Sequence, residues 1–185
     1  MKNLPNKSEL LLPQDFFQRL HNKHLLLDTS FFGDYSAYPE TFHGFVQSCR
    51  DSEITLVTVA PVITEFTKGS DTPQIYADKS ELVKEVVQDY ILNIHPKVFL
   101  KEIPLLTKEY GQRGKAVSMT DFILAAMTKI YKNDLCLLTK NPKDFPTSIF
   151  TMEGYFLLKL DRALQVYGVY SYDNSTAVSD DDPPF

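Results

Sequence analysis

Hydrophobic positions along this chain follow two patterns that alternate with each other. Short apolar runs predict strands at residues 24–27, 53–59 and 135–138. Apolar residues that recur every three or four positions predict amphipathic helices within residues 39–52, 71–93 and 118–131. Strands that alternate with helices are typical of α/β proteins with right-handed crossovers. We therefore predict a three-layer α/β/α fold around a mostly parallel central sheet.

The stretch from Ser118 to Phe145 is the centre of this pattern. Ser118 and Thr120 are candidate caps for its helix, and Asp121 sits in the first turn, where the helix dipole favours a negative charge. The run LCLL that follows is unalternating, as expected of a central strand covered on both faces. Asp144 comes shortly after that strand. We expect both carboxylates at one rim of a parallel sheet, which is where open α/β sheets build their sites.

Weaker patterns flank these elements. The first 23 residues have the composition of a polar leader, in which only the piece from Gln14 to Leu20 is amphipathic. Val98 to Leu100 fits a short strand or extended segment, and Pro104 to Gly114 fits a helix. Further β-like stretches are predicted at residues 148–151, 154–160 and 165–172. The acidic end, SDDDPPF, predicts a disordered tail.

Composition narrows the class of protein. A chain of 185 residues predicts one domain, with or without appendages. The net charge of −5 argues against binding nucleic acid through bulk charge alone, although it leaves local basic patches open. The two cysteines, Cys49 and Cys136, fit buried thiols in a reducing compartment better than a disulfide. No apolar run reaches the length of a signal-peptide core or a membrane span, so we expect a cytoplasmic protein.

Four acidic residues occupy positions that the predicted fold would bring to one end of the sheet. Asp28 ends the first strand, Glu65 lies in the helix after the second, and Asp121 and Asp144 come before and after the later strand. Glu65 either faces the core with a partner or leans out to water. Carboxylates about 4 Å apart repel by roughly 4 kcal/mol per pair at an effective dielectric of 20, so such a cluster requires a cation or bound protons.

The chemistry of these ligands selects the ion. A set of oxygens without His or Cys favours a hard cation such as Mg²⁺ or Mn²⁺. An ion held by a few carboxylates and otherwise hydrated suits phosphoryl chemistry, because it can activate water and stabilise developing charge on a phosphodiester. A basic cluster is either a solvated face or a phosphate-contacting surface, and its members are Lys97, Lys101, Lys108, Arg113 and Lys115.

The residues around the four acids resemble the motifs of a known family. LLLDTS around Asp28, VITEF around Glu65, TDFILAAM around Asp121 and LLTKNPKDF around Asp144 are similar, in order and spacing, to the motifs of PIN-domain ribonucleases. The strongest similarity is to the toxin subunits of VapBC-type toxin–antitoxin pairs. The resemblance implies a PIN-like nuclease domain at residues 24–152. Around it we place an N-terminal extension at 1–23, a β-rich C-terminal extension packed on the domain at 153–178, and the acidic tail at 179–185.

The activity implied by this resemblance is that of a Mg²⁺- or Mn²⁺-dependent endoribonuclease, in which the four acids hold the metal. A metal-bound water would attack phosphorus in line and leave a 5′-phosphate and a 3′-hydroxyl. The site would be oriented by three polar side chains, Ser30, Thr139 and Asn141, of which Asn141 is also a candidate ligand. Lys140 joins the basic cluster as a candidate RNA contact. The partners implied are RNA, with tRNA as one candidate, an antitoxin protein, and a second copy in a homodimer.

Alternatives to the toxin remain open at this point. The chain carries extensions that compact toxins lack, which leaves the toxin role and the usual dimer surface undecided. The main alternative is a PIN-like module that binds RNA or protein without cleaving. A haloacid-dehalogenase-type phosphatase would need an aspartate at the position of Ser30, and a receiver domain would need an acidic pair at the first strand. Four aromatic residues after Asp28 are candidates either for stacking on RNA bases or for the core: Phe31, Phe32, Tyr35 and Tyr38.

Overall fold

The computed structural model of the chain describes residues 8–88, 90–111 and 117–172. The predictions for Arg113, Lys115 and the acidic tail lie outside these ranges. The α-helices described are α1 (Phe16–Arg19), α2 (Thr29–Ala37), α3 (Pro39–Asp51), α4 (Ala60–Thr67), α5 (Pro73–Val87), α6 (Ile103–Gly111) and α7 (Met119–Tyr131). The strands are β1 (Ser8–Leu11), β2 (His24–Leu27), β3 (Thr55–Val59), β4 (Ile91–Leu92), β5 (Leu135–Thr139), β6 (Phe150–Leu160) and β7 (Ala163–Tyr172). None of the described helices is both long and apolar enough to span a bilayer.

These strands form one sheet in the order β1-β6-β7-β5-β2-β3-β4, which confirms the α/β fold. β5, β2, β3 and β4 are parallel neighbours, whereas the pairs β1–β6, β6–β7 and β7–β5 are antiparallel. The sheet as a whole is therefore mixed, and the expectation of mostly parallel pairing holds only for its half that contains β2 to β5. The cause is the tight hairpin between Leu160 and Ala163, which makes β6 and β7 run in opposite directions.

The segment beyond residue 152 lies inside this sheet. β7 bonds directly to β5, with Leu138 opposite Val169 and Thr139 opposite Gly168. β6 then bonds to β7 along ten paired positions and to β1 on its other side. The residues that we assigned to a C-terminal extension thus provide two strands next to the parallel half. The division of the chain into domains stays a prediction.

Helices cover both faces of the sheet around β7. The ring of Tyr167 packs against Phe31 of α2 and Phe42 of α3. Tyr172 points to the opposite face because alternate residues of a strand face opposite sides, and there the Lys129 ammonium of α7 lies 5.5 Å from its ring centroid. The predicted three layers are thus present, with the most deeply buried strand, β5, between them.

Three local predictions were wrong. Residues 8–11 form strand β1 rather than a polar leader, because β6 offers them an antiparallel partner, with Leu10 opposite Leu158. Val98–Glu102 is a π-helical turn rather than a strand, since it packs on α6 and α7 and runs directly into α6. Ile91–Leu92 forms strand β4 rather than the end of the helix predicted within residues 71–93, because α5 ends at Val87 and these two residues pair with β3.

Candidate active site

Two neighbouring parallel strands end at the same edge of the sheet and bring acidic residues there. Leu27 of β2 lies opposite Leu138 of β5, and the Asp28 backbone N–H donates to the Leu138 carbonyl over 3.3 Å. Asp144 follows β5 in a short 3₁₀ turn, Pro142–Asp144. The carboxyl ends of parallel strands form the usual site of open α/β sheets, and this edge is therefore where the candidate site lies.

Asp28 is the most enclosed of the four acids, at 8% exposure. Its Oδ1 accepts from the Thr29 N–H over 2.6 Å, and its Oδ2 accepts from the Ser30 and Thr139 hydroxyls over 3.0 and 2.7 Å. Burial raises the pKa of the Asp28 carboxyl above its ordinary value, these three donors lower it in part, and the charge of Glu65 raises it further. The hydroxyls of Ser30 and Thr139 therefore fix the orientation of this carboxylate.

Asp121 opens α7 opposite Asp28. Ser118 caps the helix by accepting from the Asp121 N–H over 3.1 Å, and its hydroxyl donates to Asp121 Oδ2 over 2.6 Å. Burial raises the pKa of the Asp121 carboxyl to about 6; the Ser118 hydrogen bond lowers it, and the charges of Asp28, Asp144 and Glu65 raise it. The electrostatic field at this one carboxyl thus includes all three other acids, so the four lie close enough to interact.

Glu65 and Asp144 complete the group from opposite sides. Glu65 is exposed, which settles its orientation toward water, and its Oε2 accepts from the Thr29 hydroxyl over 3.2 Å. Asp144 is half-buried; Asn141 donates a short hydrogen bond to its Oδ2. The Asn141 N–H in turn donates to the Thr139 hydroxyl over 3.0 Å. Thr139 and Asn141 therefore connect Asp28 to Asp144 through one chain of hydrogen bonds.

The acids do not form a ready-made metal cage. Among residues 8–88, 90–111 and 117–172, no three His, Cys, Asp or Glu side chains are arranged to hold an ion. The carboxylates are turned instead toward hydroxyl and amide donors of neighbouring residues. Their chemistry nevertheless fits a hard cation, since all the donor atoms are oxygens. The pKa of Asp121 is raised first by burial and further by repulsion from the other acids, and a cation would relieve that repulsion.

Lys140, a candidate RNA contact, occupies a tight polar network beside the acids. Its ammonium lies 2.9 and 2.8 Å from the two oxygens of Asp34 and donates to Gln165 over 3.0 Å. The Tyr167 hydroxyl donates to Asp34 over 2.7 Å and to the Ser30 carbonyl over 3.2 Å. The network links the end of β5, α2 and β7 to the segment that holds Asp28, which gives Lys140 a structural role that the sequence does not reveal.

The other predicted contact residues divide between surface and core. Lys97, Lys101 and Lys108 are exposed on the π-helical turn and α6. Phe31, Phe32 and Tyr35 are buried, so these three aromatic residues belong to the core rather than to an RNA surface. The remaining aromatic candidate, Tyr38, is half-buried where α2 meets α3.

An open cleft of about 600 Å³ borders the acids and was not foreseen. It runs between α4 and the start of α7 and is lined by Ala60, Pro61, Thr64, Glu65, Lys68, Ile94, Ser118 and Thr120. The residues of α4 and its end that line the cleft recur every three or four positions, so they lie on one face of the helix: Pro61, Thr64, Glu65 and Lys68. This spacing is the sequence signal for that wall. The contact of Ser118 with Asp121 also has a signal, the S-x-x-D pattern of a capping box.

No family model matches the chain, and no curated protein is similar to it by sequence. In three dimensions it is similar to one chain of the crystal structure of VapBC2 from Rickettsia felis bound to a DNA fragment from their promoter. The two chains are 18% identical, with a TM-score of 0.54, over 66% of this chain and 90% of that chain. This likeness shows that the α/β fold of the chain is shared with a component of a VapBC complex.

Proposed function

We propose that the chain is a divalent-metal-dependent endoribonuclease of the VapC kind. The observation that carries the proposal is the field at Asp121, whose pKa rises to about 6 under burial and the charges of Asp28, Glu65 and Asp144. Four acids from separate elements that converge in this way cost stability, which a protein without use for a cation has no physical reason to accept. The resemblance of the motifs and the shared fold support the same function.

In this proposal the four acids hold the ion and the surrounding hydroxyls hold the acids. When bound, Mg²⁺ or Mn²⁺ would supply an activated water and neutralise charge that develops on the phosphodiester. Thr139 and Ser30 keep the Asp28 carboxylate in place through its Oδ2. Ser118 does the same for Asp121, and Asn141 for Asp144. A change at any of these donors would therefore weaken the site without removing an acid.

The proposed partners follow from the same reasoning. RNA is the substrate, with tRNA as one candidate. The shared fold with a chain of a VapBC complex supports a protein partner of the antitoxin type, and a homodimer is proposed from the family resemblance. We also propose that the protein acts in the cytoplasm, where RNA is available.

The test is cleavage of a labelled pool of tRNA and structured RNA, with Mn²⁺ or with EDTA. Asp121→Asn keeps the shape of the side chain and its contact with Ser118 while removing the charge. Asp78→Asn is the matched control, because Asp78 lies on the exposed side of α5 and its one side-chain hydrogen bond within the described part of the chain is accepted from Gln74, over 2.7 Å. We expect cleavage by wild type and by the control in Mn²⁺, and none by Asp121→Asn or in EDTA. Equal cleavage by Asp121→Asn would refute the assignment.

A second candidate function is a PIN-like module that binds RNA or protein without cleaving it. The observation in its favour is that no three acids among the described residues are arranged around a common point. The two candidates differ in the effect of metal on stability, because a ligand that binds only the native state raises the melting temperature. Mn²⁺ should stabilise the nuclease and leave the binding module unchanged.

A further inference from the structure

We propose that the cleft between α4 and the start of α7 binds the nucleotide next to the scissile phosphate of single-stranded RNA, with Lys68 on the neighbouring phosphate. This inference rests on the proposed nuclease function and adds to it a subsite with its own residues. Three observations support it: the cleft is continuous with the acids, it carries a cation that pairs with no described residue, and its wall is largely apolar.

Continuity with the acids comes from two residues that belong to both. Glu65 lines the cleft and contacts the Thr29 hydroxyl beside Asp28. Ser118 lines it from the other side and donates to Asp121. A strand of RNA whose phosphate lies at the acids therefore has its adjacent nucleotide at the mouth of the cleft. The volume of about 600 Å³ is within the range of sites that hold a small organic group.

The charge of the cleft favours an anion at the end away from the acids. Lys68 follows α4, one turn beyond Glu65, and it is exposed. No described residue accepts a hydrogen bond from its ammonium or pairs with it, whereas nearby Lys79 donates to the Phe66 carbonyl over 2.9 Å. A lysine without a partner suits a phosphate as a compact point charge. A basic peptide would be attracted to the acids but repelled at Lys68, so the full length of the cleft fits RNA better.

The wall between these charges suits the flat face of a base or a ribose. Ala60, Pro61 and Ile94 contribute apolar surface, and the Thr64 hydroxyl is already committed to the Ala60 carbonyl over 3.0 Å. The Thr120 hydroxyl has no hydrogen bond to any described residue and can pair with the base edge or the 2′-hydroxyl. Because the other hydroxyls that line the cleft, those of Thr64 and Ser118, are already hydrogen-bonded, we expect the subsite to tolerate different bases and to discriminate weakly between them.

Equilibrium binding tests this proposal separately from cleavage. The full chain with Asp121→Asn is titrated in EDTA with a fluorescein-labelled 12-nucleotide single-stranded RNA over a series of NaCl concentrations. Lys68→Gln should weaken binding about five- to tenfold at low salt and reduce the slope of log Kd against log [NaCl] by about 0.7, the value for one phosphate contact on a single strand. Ile94→Ala should weaken binding with no change in slope. Lys84→Gln, at an exposed position of α5, should change neither quantity.

Each outcome decides the proposal. An unchanged slope for Lys68→Gln, an equal change for Lys84→Gln, or the absence of any RNA binding overturns the subsite. Tighter binding of a Lys/Arg-rich peptide to Lys68→Gln would assign the cleft to a protein partner instead. If wild type cleaves RNA in Mn²⁺ while Lys68→Gln binds normally, the subsite fails and the nuclease stands. If the slope falls but no RNA is cleaved, the subsite stands and the nuclease fails.

Discussion

Removing one charge from the acidic group should make the metal-free protein more stable. The perturbation is Asp121→Asn, which retains an oxygen to accept from Ser118 and removes the repulsion by the other acids. The pKa of Asp121 rises from 3.8 to about 6 on folding, so the folded chain binds this proton more tightly than the unfolded chain. Stability contributed by this group is therefore present at low pH and is lost as pH rises through the window from about 4 to about 6.

The magnitude follows from this difference in pKa. A difference of about 2 corresponds to roughly 3 kcal/mol, and because the carboxyl is only half-buried, solvent screening reduces the effect to about 1–2 kcal/mol. Losing a favourable charge in the first turn of α7 offsets up to about 1 kcal/mol. We expect a net gain of about 1 kcal/mol for Asp121→Asn above pH 7, which corresponds to an increase of about 2–4 °C in melting temperature for a chain of this size.

Thermal unfolding in EDTA at pH 7.5 and at pH 4 measures this gain, with Asp78→Asn as the control. The difference between Asp121→Asn and wild type should be positive at pH 7.5 and much smaller at pH 4, where the folded state of wild type is almost fully protonated at this position and the unfolded state is close to half protonated. Adding Mn²⁺ at about a hundredfold excess over its Kd should stabilise wild type by about 2.7 kcal/mol and the variant much less. A variant less stable than wild type at pH 7.5, or a difference that does not change with pH, would show that the acids do not repel as described.

Three further substitutions test contacts around the site, each measured by urea unfolding. Thr139→Val removes the hydroxyl that links Asp28 to the turn after β5. We expect it to lower the free energy of unfolding by about 1–3 kcal/mol and also to reduce the rate of RNA cleavage. Lys140→Met removes the cation that pairs with the nearly buried carboxylate of Asp34, so we expect the free energy of unfolding to fall by about 2–3 kcal/mol. Adding Asp34→Asn should restore part of this stability. Gly168→Ala places a Cβ 2.5 Å from the ring of Tyr170, so we expect a loss of about 1–3 kcal/mol.

Matched controls separate these effects from general damage. Thr128→Val removes a buried hydroxyl that donates to the Leu124 carbonyl over 2.9 Å inside α7 and to no other described residue, so it should leave RNA cleavage unchanged. An effect of Thr139→Val no larger than this one would contradict the role given to Thr139. For the ion pair, additive losses in the double variant would mean that Lys140 and Asp34 do not interact energetically. A neutral Gly168→Ala would mean that the Tyr170 ring moves freely.

The elements that the sequence predicted well are those with long, strong patterns. α7 has a cap and one apolar face, and β5 is an unalternating apolar strand. Each of these signals depends on residues that are close together in the sequence. Ser118 and Asp121 are three residues apart, and the capping pattern of the sequence predicts their contact. Local chemistry was sufficient at these positions because tertiary packing agreed with it.

The predictions that failed depended on distant partners. SELL becomes strand β1 only because β6 is available to pair with it, and none of its four positions is fully buried. The π-helical turn at 98–102 contains an apolar triplet that favours a strand locally, but contacts with α7 decide its conformation. Lys140 and Asp34 are 106 residues apart, so no local pattern in the sequence predicts that they pair. The sequence therefore carries no local signal for this ion pair, and the RNA contact of Lys140 stays a prediction.

The pairing of β1 with β6 also has a consequence for synthesis of the chain. Leu11 of β1 pairs with Leu157 of β6, so the ribosome must add about 150 more residues before β1 can pair with β6. At ~5–20 residues per second this delay is roughly 8–30 s. Between the synthesis of β5 and that of β7, β5 also lacks this neighbour, and its unpaired strand edge next to the acids is open to the solvent. The sheet edge that carries the acids can therefore be completed only after β7 has been synthesised.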